Sequence, residues 1–271
     1  MLKKYKKLLP IIMILFTHSI NAADWSQFTT PTNTKPYVIG KTNNGCIAGA
    51  QALPLQGDGY LVVHLERRRY YGHPLLIQTL KMLAKQAQQQ QLGVLQMGDL
   101  GQARGGALPF GHRSHQSGLD ADVWFNLNPA SYANANKQRS NIKQPSMLNS
   151  NGKGLNARWT NKHRKLLELA ANIAEVDRIF VNPYIKRDLC ETVSGNRQWL
   201  QKIRPWYHHD EHFHIRLRCP ESSPDCIKQA AISVGDGCDA TLAWWFEKHT
   251  ASRSTKKKSA MPKACRALLS D

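Results

Sequence analysis

Apolar positions along this chain come in short periodic blocks, separated by stretches that are polar and rich in glycine. Tyr60-Leu61-Val62-Val63-His64-Leu65 reads as a strand. Pro74 then opens a helix whose apolar face is Leu76, Leu80, Leu83, Ala84 and Ala87, spaced three and four apart. Gly93-Val94-Leu95-Gln96-Met97-Gly98-Asp99 reads as a second strand, followed by a glycine-rich loop from Gly101 to Gly111. Alternation resumes at Asp120 and predicts a strand through the acids to about Leu127. After a polar stretch from Asn128 to Arg158, a second helix is expected over 161–176, carried by Leu166, Leu169, Ala170 and Ile173. Arg178-Ile179-Phe180-Val181-Asn182-Pro183 is a strand ended by proline. Tyr184 to Cys190 and Arg197 to Ile203 read as short helices, and a final strand starts in the cluster around His212. Residues 23–60, rich in Thr, Asn, Pro and Gly, read as an irregular arm with one short strand. No repeat and no domain boundary interrupts the pattern, so one α+β domain is the expected architecture.

The first residues change that picture only by subtraction. Lys3, Lys4, Lys6 and Lys7 precede an apolar run from Leu8 to Phe16, and Asn21-Ala22-Ala23 supplies small residues for cleavage. This is the form of a secretory signal over 1–22, too short for a stable membrane anchor. The mature domain is then 23–271, exported, with no further segment apolar enough to insert in a bilayer. Loss of the four lysines takes the formal net charge from +18 to +14. With 41% hydrophobic residues the chain is globular with a basic surface, which favours an anionic partner without naming it. The Lys/Ser tail over 250–263 reads as solvated.

An even count of six cysteines in an exported chain implies disulfides. Cys219 and Cys226 enclose a short Ser/Pro/Asp loop and are expected to pair. Cys46, near the mature start, is paired with Cys265 beyond the tail, and Cys190 with Cys238. No CxxC pair suggests a thiolate metal site.

The chemistry lies in two stretches of the same form. Phe110-Gly111-His112-Arg113-Ser114-His115-Gln116-Ser117-Gly118-Leu119-Asp120-Ala121-Asp122 carries two histidines and two aspartates ahead of a strand. His208-His209-Asp210-Glu211-His212-Phe213-His214-Ile215-Arg216-Leu217 carries the other histidines, again running into a strand. Catalytic zinc takes three protein ligands and leaves one position open. His115, Asp122 and His214 are the candidate ligands. His212 and His214 lie two apart on a strand and share a face, so one binds metal while His212 stands ready as general base. Glu211 faces away and is a poor candidate. Arg104 and Arg113 flank the site in sequence and are candidates for clamping a substrate carboxylate.

The segment from Ser114 to Asp122, with His212-Phe213-His214, resembles the LAS metallopeptidases. More narrowly, the chain resembles the penicillin-insensitive murein endopeptidase family. Further matching segments are Arg68-Arg69-Tyr70-Tyr71-Gly72-His73-Pro74, Arg178 to Pro183, Arg204-Pro205-Trp206, Ile215-Arg216-Leu217-Arg218-Cys219 and Gly235-Asp236-Gly237-Cys238, so the likeness spans nearly the whole mature chain. What it implies is a disulfide-stapled domain with a central antiparallel sheet, flanking helices and long loops. The implied activity is periplasmic, zinc-dependent hydrolysis of D-alanyl to meso-diaminopimelate cross-links in peptidoglycan, insensitive to penicillin. The same ligand set, His115, Asp122 and His214, follows from the resemblance, with His212 as base. His209 is implied as an aid to the oxyanion or the leaving amine, and His112 as a ligand of an additional metal or a residue outside the zinc shell. The other ligands of an additional metal belong to an Asp-Gly-x-His segment. Here Asn151-Gly152-Lys153-Gly154 lacks both groups, so one zinc per chain is expected. Relatives suggest a homodimer.

Three rival readings follow from the same residues. A serine D,D-peptidase would use an SxxK motif, present at Ser140-Lys143, Ser150-Lys153 and Ser254-Lys257, but KTG and SDN partners are missing. A non-catalytic peptidoglycan-binding protein on the same fold would be expected to lose the base, whereas His212 and His209 are in place. A nucleic-acid binder is argued against by export, disulfides and the lack of a recognition element.

Overall fold

The computed structural model describes residues 24–128, 139–140, 142–247 and 260–270. The leader expected over 1–22 and most of the tail over 250–263 lie outside them. The chain runs β1 (Tyr37–Lys41), β2 (Asn44–Ala48), β3 (Gln51–Ala52), β4 (Gln56–Gly57), β5 (Tyr60–Val62), β6 (Tyr71–Gly72), α1 (Pro74–Gln89), β7 (Leu95–Met97) and β8 (Asp120–Trp124). It continues through α2 (Asn161–Asn172), β9 (Val176–Val181), α3 (Pro183–Thr192), β10 (Ile203–Pro205), β11 (His212–Leu217), α4 (Ala240–Ala243) and α5 (Lys263–Ala267).

Seven strands form the main sheet, in the order β10-β9-β11-β8-β7-β5-β4. Its centre, β9-β11-β8-β7, is antiparallel as expected. Parallel pairs flank that centre, β10 with β9 and β5 with β7, the latter joined through α1 as a parallel pair requires. The side-chain period of two then separates core from chemistry. On one face Ala121, Val123, Phe213 and Ile215 meet Leu76, Leu80, Leu83, Leu166, Leu167 and Ala170 of the two helices in one cluster. Asp120, Asp122, His214 and Arg216 occupy the other face. Pro74 sits at the first position of α1, where its missing N–H costs nothing, and the His73 Nδ1 accepts from the Leu75 N–H at 3.2 Å. At the start of α2 the Thr160 N–H donates to His163 Nδ1 at 3.0 Å, and the far nitrogen of that ring reaches the Phe125 carbonyl at 2.9 Å.

Several expected bounds shift, each for a local reason. Helix α2 stops at Asn172, not at 176, because Ile173 is already extended and Val176 starts β9 by pairing with Leu217. Ile173 and Val176 are buried at helical spacing, but in a turn and a strand. The strands expected over 60–65, 93–99 and 120–127 are shorter, at Tyr60–Val62, Leu95–Met97 and Asp120–Trp124. The short helix expected from Tyr184 is α3, and that from Arg197 is a 3₁₀ turn over Gln198–Lys202. The arm before residue 60 is more ordered than expected, since β1 and β2 form a hairpin that buries Val38, Ile39, Cys46 and Ile47. The hairpin loop supports the histidine segment directly, the Gln116 N–H donating to the Thr42 carbonyl at 3.0 Å.

The glycine-rich loop is buried rather than free, from Leu100 to Gly106. Gly105 shows why glycine is required there: its φ is +69°, and a Cβ would lie 2.1 Å from the Gln116 carbonyl oxygen. Within the polar stretch, residues 146–156 are also tied down. Met147 N–H donates to the Asp210 carbonyl, and the Asn156 side chain donates to the Ser146 and Leu148 carbonyls. The three expected disulfides are present, Cys46–Cys265, Cys190–Cys238 and Cys219–Cys226.

Lys186, on α3, is fully buried, its ammonium donating to the carbonyls of Leu200 and Asp236. Burial, with Arg204 nearby, pushes it down to about 7. The unfolded chain holds that proton up to about pH 10.4, so between these values unfolding takes up a proton and stability rises with pH, by up to about 1.4 kcal/mol per unit. Urea unfolding of the wild type at pH 6, 8 and 9.5 is expected to show this rise, and Lys186→Met to lose most of it. Equal pH slopes in the two proteins would contradict the assignment.

Candidate metal centre

Strand β8 and strand β11 lie side by side in a register that places Asp122 opposite His214, Asp120 opposite Arg216 and Trp124 opposite His212. Each of these pairs faces the side of the sheet away from the helices, so two sequence patterns, Asp-x-Asp and His-x-His, become one patch. The loop before β8 folds His112 and His115 over it. His115 adopts a left-handed φ of 65°, and its N–H donates to Asp120 Oδ2 at 2.9 Å, which holds the turn.

At the centre is the carboxylate of Asp122, with no exposed surface. Four imidazole nitrogens surround it: His115 Nε2 at 3.5 Å, His214 Nδ1 at 3.4 Å and His212 Nε2 at 3.6 Å from Oδ1, and His112 Nε2 at 3.4 Å from Oδ2. Neither oxygen takes a hydrogen bond among the described residues, and His115 Nε2 and both His212 nitrogens are likewise buried without partners. Buried polar atoms left unpaired are costly, so a shared partner at their common focus is the natural account. The spacing supports an ion. Ligands about 2.0–2.1 Å from a tetrahedral metal lie about 3.3 Å from each other, close to the His115–Asp122 and His214–Asp122 separations.

The remaining ring nitrogens fix the tautomers. His115 Nδ1 faces the Leu100 carbonyl at 3.0 Å and must carry the proton there, leaving Nε2 bare. His214 Nε2 donates to Asp120 Oδ1 at 3.0 Å, leaving Nδ1 bare. Both bare nitrogens therefore face the Asp122 carboxylate, and both rings are oriented by an outer acceptor, as metal-ligating histidines are. Asp120 is held in turn by Arg216, whose Nε donates to it at 2.6 Å. Phe180 closes the side of the site, its ring perpendicular to that of His214.

Electrostatics follow the geometry. Burial alone would raise Asp122, but His212, His112 and His115 hold it well below the usual carboxylate range. Burial lowers His115 and His212 against the pull of Asp122, which favours the neutral rings that ligation and base catalysis need. In His214, burial is outweighed by Asp120 and Asp122, which raise it. His209 lies 5.0 Å from His212 ring to ring, and its Nδ1 donates to the Tyr207 carbonyl at 2.9 Å. Its place is set by the Asn182 N–H, which donates to the His209 carbonyl at the β9–α3 corner. Burial, with His212 and His214 beside it, pushes His209 down to about 3.

The structure thus brings His115, Asp122, His214, His212, His209 and His112 together. His112 groups with His115 and Asp122, their ligating atoms all within 4.8 Å of one another. It also reaches Asp99 Oδ2 at 3.3 Å, bridging two carboxylates. The Asn151-to-Gly154 turn offers no imidazole or carboxylate. Arg113 is exposed on the histidine loop. Arg104 is placed elsewhere: it is buried, donates to the carbonyls of Leu268 and Thr30, and stacks over Phe28, so its guanidinium ties the C-terminal segment to the arm. The SxxK pair Ser150 and Lys153 is exposed on a turn, and Ser254-Lys257 lies outside the described residues. Sequence reading assigned no role to Asp99, Asp120, Arg69 or Arg216. Asp120 and Arg216 had a signal, a spacing of two from Asp122 and from His214.

A family model described as penicillin-insensitive murein endopeptidase matches residues 38–270. Curated relatives carrying that same name include one from Yersinia enterocolitica, 40% identical over 263 residues, covering 96% of this chain and 94% of the relative. A second, from Haemophilus influenzae, is 41% identical and covers 93% of this chain and 90% of its own length. A third, from Klebsiella pneumoniae, is 41% identical with 93% coverage of both.

Proposed function

The chain belongs to the penicillin-insensitive murein endopeptidase family, and from that premise we propose that it is a zinc-dependent endopeptidase cutting D-alanyl to meso-diaminopimelate cross-links of peptidoglycan. The observation that carries this reading is that both Asp122 oxygens and His115 Nε2 are buried without hydrogen-bond partners and that His214 Nδ1 faces the same carboxylate at 3.4 Å. These three residues would hold the ion. Zinc bound there supplies Lewis-acid polarisation of the scissile carbonyl and a water acidified toward neutrality.

The chain's own groups do the rest. His212, neutral and without hydrogen-bond partners, accepts a proton during attack on the amide carbonyl and returns it to the departing amine. His209 presents a bare Nε2, because its Nδ1–H is given to Tyr207. That tautomer suits passing a proton to or from His212, and it disfavours the oxyanion role, which needs a donor. Asp120 and the Leu100 carbonyl keep His214 and His115 aimed. Arg113, exposed beside the site, is available to a substrate carboxylate. Since no serine is acylated in this scheme, penicillin has nothing to trap.

The compartment follows from the same reading. Three disulfides suit an oxidising space, and no helix among the described residues is long and apolar enough to cross a membrane. With the leader over 1–22 removed, the enzyme works in the periplasm, where its substrate lies. The test uses purified mature protein and cross-linked muropeptide dimers, with products separated by chromatography. Dimers are expected to become monomers with penicillin present, to survive with a chelator, to be cut again once zinc is restored, and to survive with His214→Ala. Cleavage that stops with penicillin but persists with chelator would mean a serine enzyme. Metal bound with no cleavage at all would leave a peptidoglycan-binding protein.

A further inference from the structure

Beside the metal centre runs a cleft of about 620 Å³, within the range of small-ligand sites. Its lining includes Phe28, Arg67, Arg68, Arg69 and Phe110. Two of the three arginines are committed. Arg69 is buried, donates to Asp99 at 2.8 Å and to the Phe110 carbonyl at 3.1 Å, and lies under the Phe110 ring at 4.2 Å. Arg67 shares Asp99 at 3.2 Å and approaches Glu66 at 3.7 Å. Arg68 is exposed, and its guanidinium makes no ion pair or hydrogen bond among the described residues. Three cations against Glu66 and Asp99 leave one positive charge unmatched.

Arg68 is also held in place by its backbone. It closes a 3₁₀ turn over Leu65–Arg67 whose two flanking residues, His64 and Arg68, both take left-handed φ, 56° and 51°. Such a conformation is uncommon for residues other than glycine and persists where its surroundings enforce it. Here the Arg68 N–H donates to the Leu65 carbonyl, and the next residue's carbonyl accepts from Leu100. The cleft is joined to the centre through one carboxylate, since Asp99 pairs with Arg69 on the cleft side and with His112 on the other. Phe110, 59% exposed, stands two residues before His112 and offers an apolar face next to the cation.

We propose that this cleft is the subsite for a free carboxylate of the peptide stem, with Arg68 as the residue that engages it and Phe110 packing on the adjoining aliphatic chain. The identification of the ligand as a wall peptide rests on the endopeptidase reading above. An unpaired arginine in a cleft walled by protein is a stronger anion ligand than one on an open surface, because less water competes.

The experiment reads binding rather than turnover. Peptidoglycan-derived tetrapeptide monomers, with carboxylates free or amidated, are titrated calorimetrically into wild type, Arg68→Gln and Arg68→Lys, with thermal melts confirming that the variants fold. The free peptide is expected to bind about tenfold more weakly to Arg68→Gln, with Arg68→Lys recovering part of the loss, while the amidated peptide binds the three proteins alike. Equal affinity of wild type and Arg68→Gln for the free peptide, the same loss with the amidated one, or no binding to wild type would each overturn the proposal. Parallel incubation of wild type with muropeptide dimers reads the endopeptidase assignment by itself. Failure to cleave would sink that assignment while the titration still decides the role of Arg68.

Discussion

Asp122→Asn is expected to lower muropeptide cleavage at least about 10³-fold and to leave the purified protein without stoichiometric metal. The substitution keeps the size of the side chain and removes its charge. That charge is the focus of the site: four imidazole nitrogens stand 3.4–3.6 Å from the two oxygens. An amide would turn an NH₂ group toward some of those nitrogens and would offer a divalent ion one weak neutral donor. The fold should tolerate the change better than the chemistry does, because Asp122 makes no side-chain hydrogen bond whose loss would strand a partner. Its backbone bonds, N–H to the Asp99 carbonyl and carbonyl from the Gly98 N–H, are untouched. Metal content by atomic emission, steady-state rates and circular dichroism together test this. A variant that keeps its metal and stays within tenfold of wild-type activity would show that Asp122 is not a ligand.

How much of this site could be read from sequence depends on whether a residue belongs to a periodic pattern. Asp120 and Asp122, like His212 and His214, are spaced by two ahead of β-branched and aromatic residues, so their shared faces are legible locally. The expectation that both motifs serve one site implied that the two strands lie together, and the register places His214 opposite Asp122. Arg216 shares that spacing, two after His214, but its partner does not show in it, and Asp99 carries no such signal. Each is a single charged residue whose meaning comes from a partner 96 or 30 positions away. Arg104 failed for the converse reason: nearness in sequence to the histidine loop does not survive a chain that turns at Gly105 and Gly106, and its guanidinium ends at Leu268. The hairpin of β1 and β2 was hidden by the Thr, Asn and Gly around it, although Val38, Ile39 and Ile47 were there to bury. Even the end of α2 was masked, since Ile173 and Val176 continue the helical spacing while serving a turn and a strand.

The second large effect is expected at Asp120, where stability and metal binding can be separated. Asp120 is fully buried and accepts from the His115 N–H at 2.9 Å, from Arg216 Nε at 2.6 Å and from His214 Nε2 at 3.0 Å. Asp120→Ala leaves the Arg216 cation buried with no carboxylate partner among the described residues, only the Gln229 amide oxygen and the face of the Phe180 ring. Breaking a buried pair in this way costs about 3–5 kcal/mol, which for a chain of this size lowers Tm by about 6–20 °C. The same change frees His214 to take either tautomer, and loss of such an orienting partner typically weakens metal binding by about 10–100-fold. Adding Arg216→Met removes the stranded charge. The double variant should therefore regain much of the lost Tm, because an apolar pair can replace a buried ion pair at little cost. Its metal affinity should stay low, since nothing then holds the proton on His214 Nε2. Thermal melts and competitive zinc titration of the wild type, both single variants and the double variant measure the two effects independently. If zinc affinity returns together with Tm, Asp120 acts only by keeping the fold intact, and its role in aiming His214 is wrong.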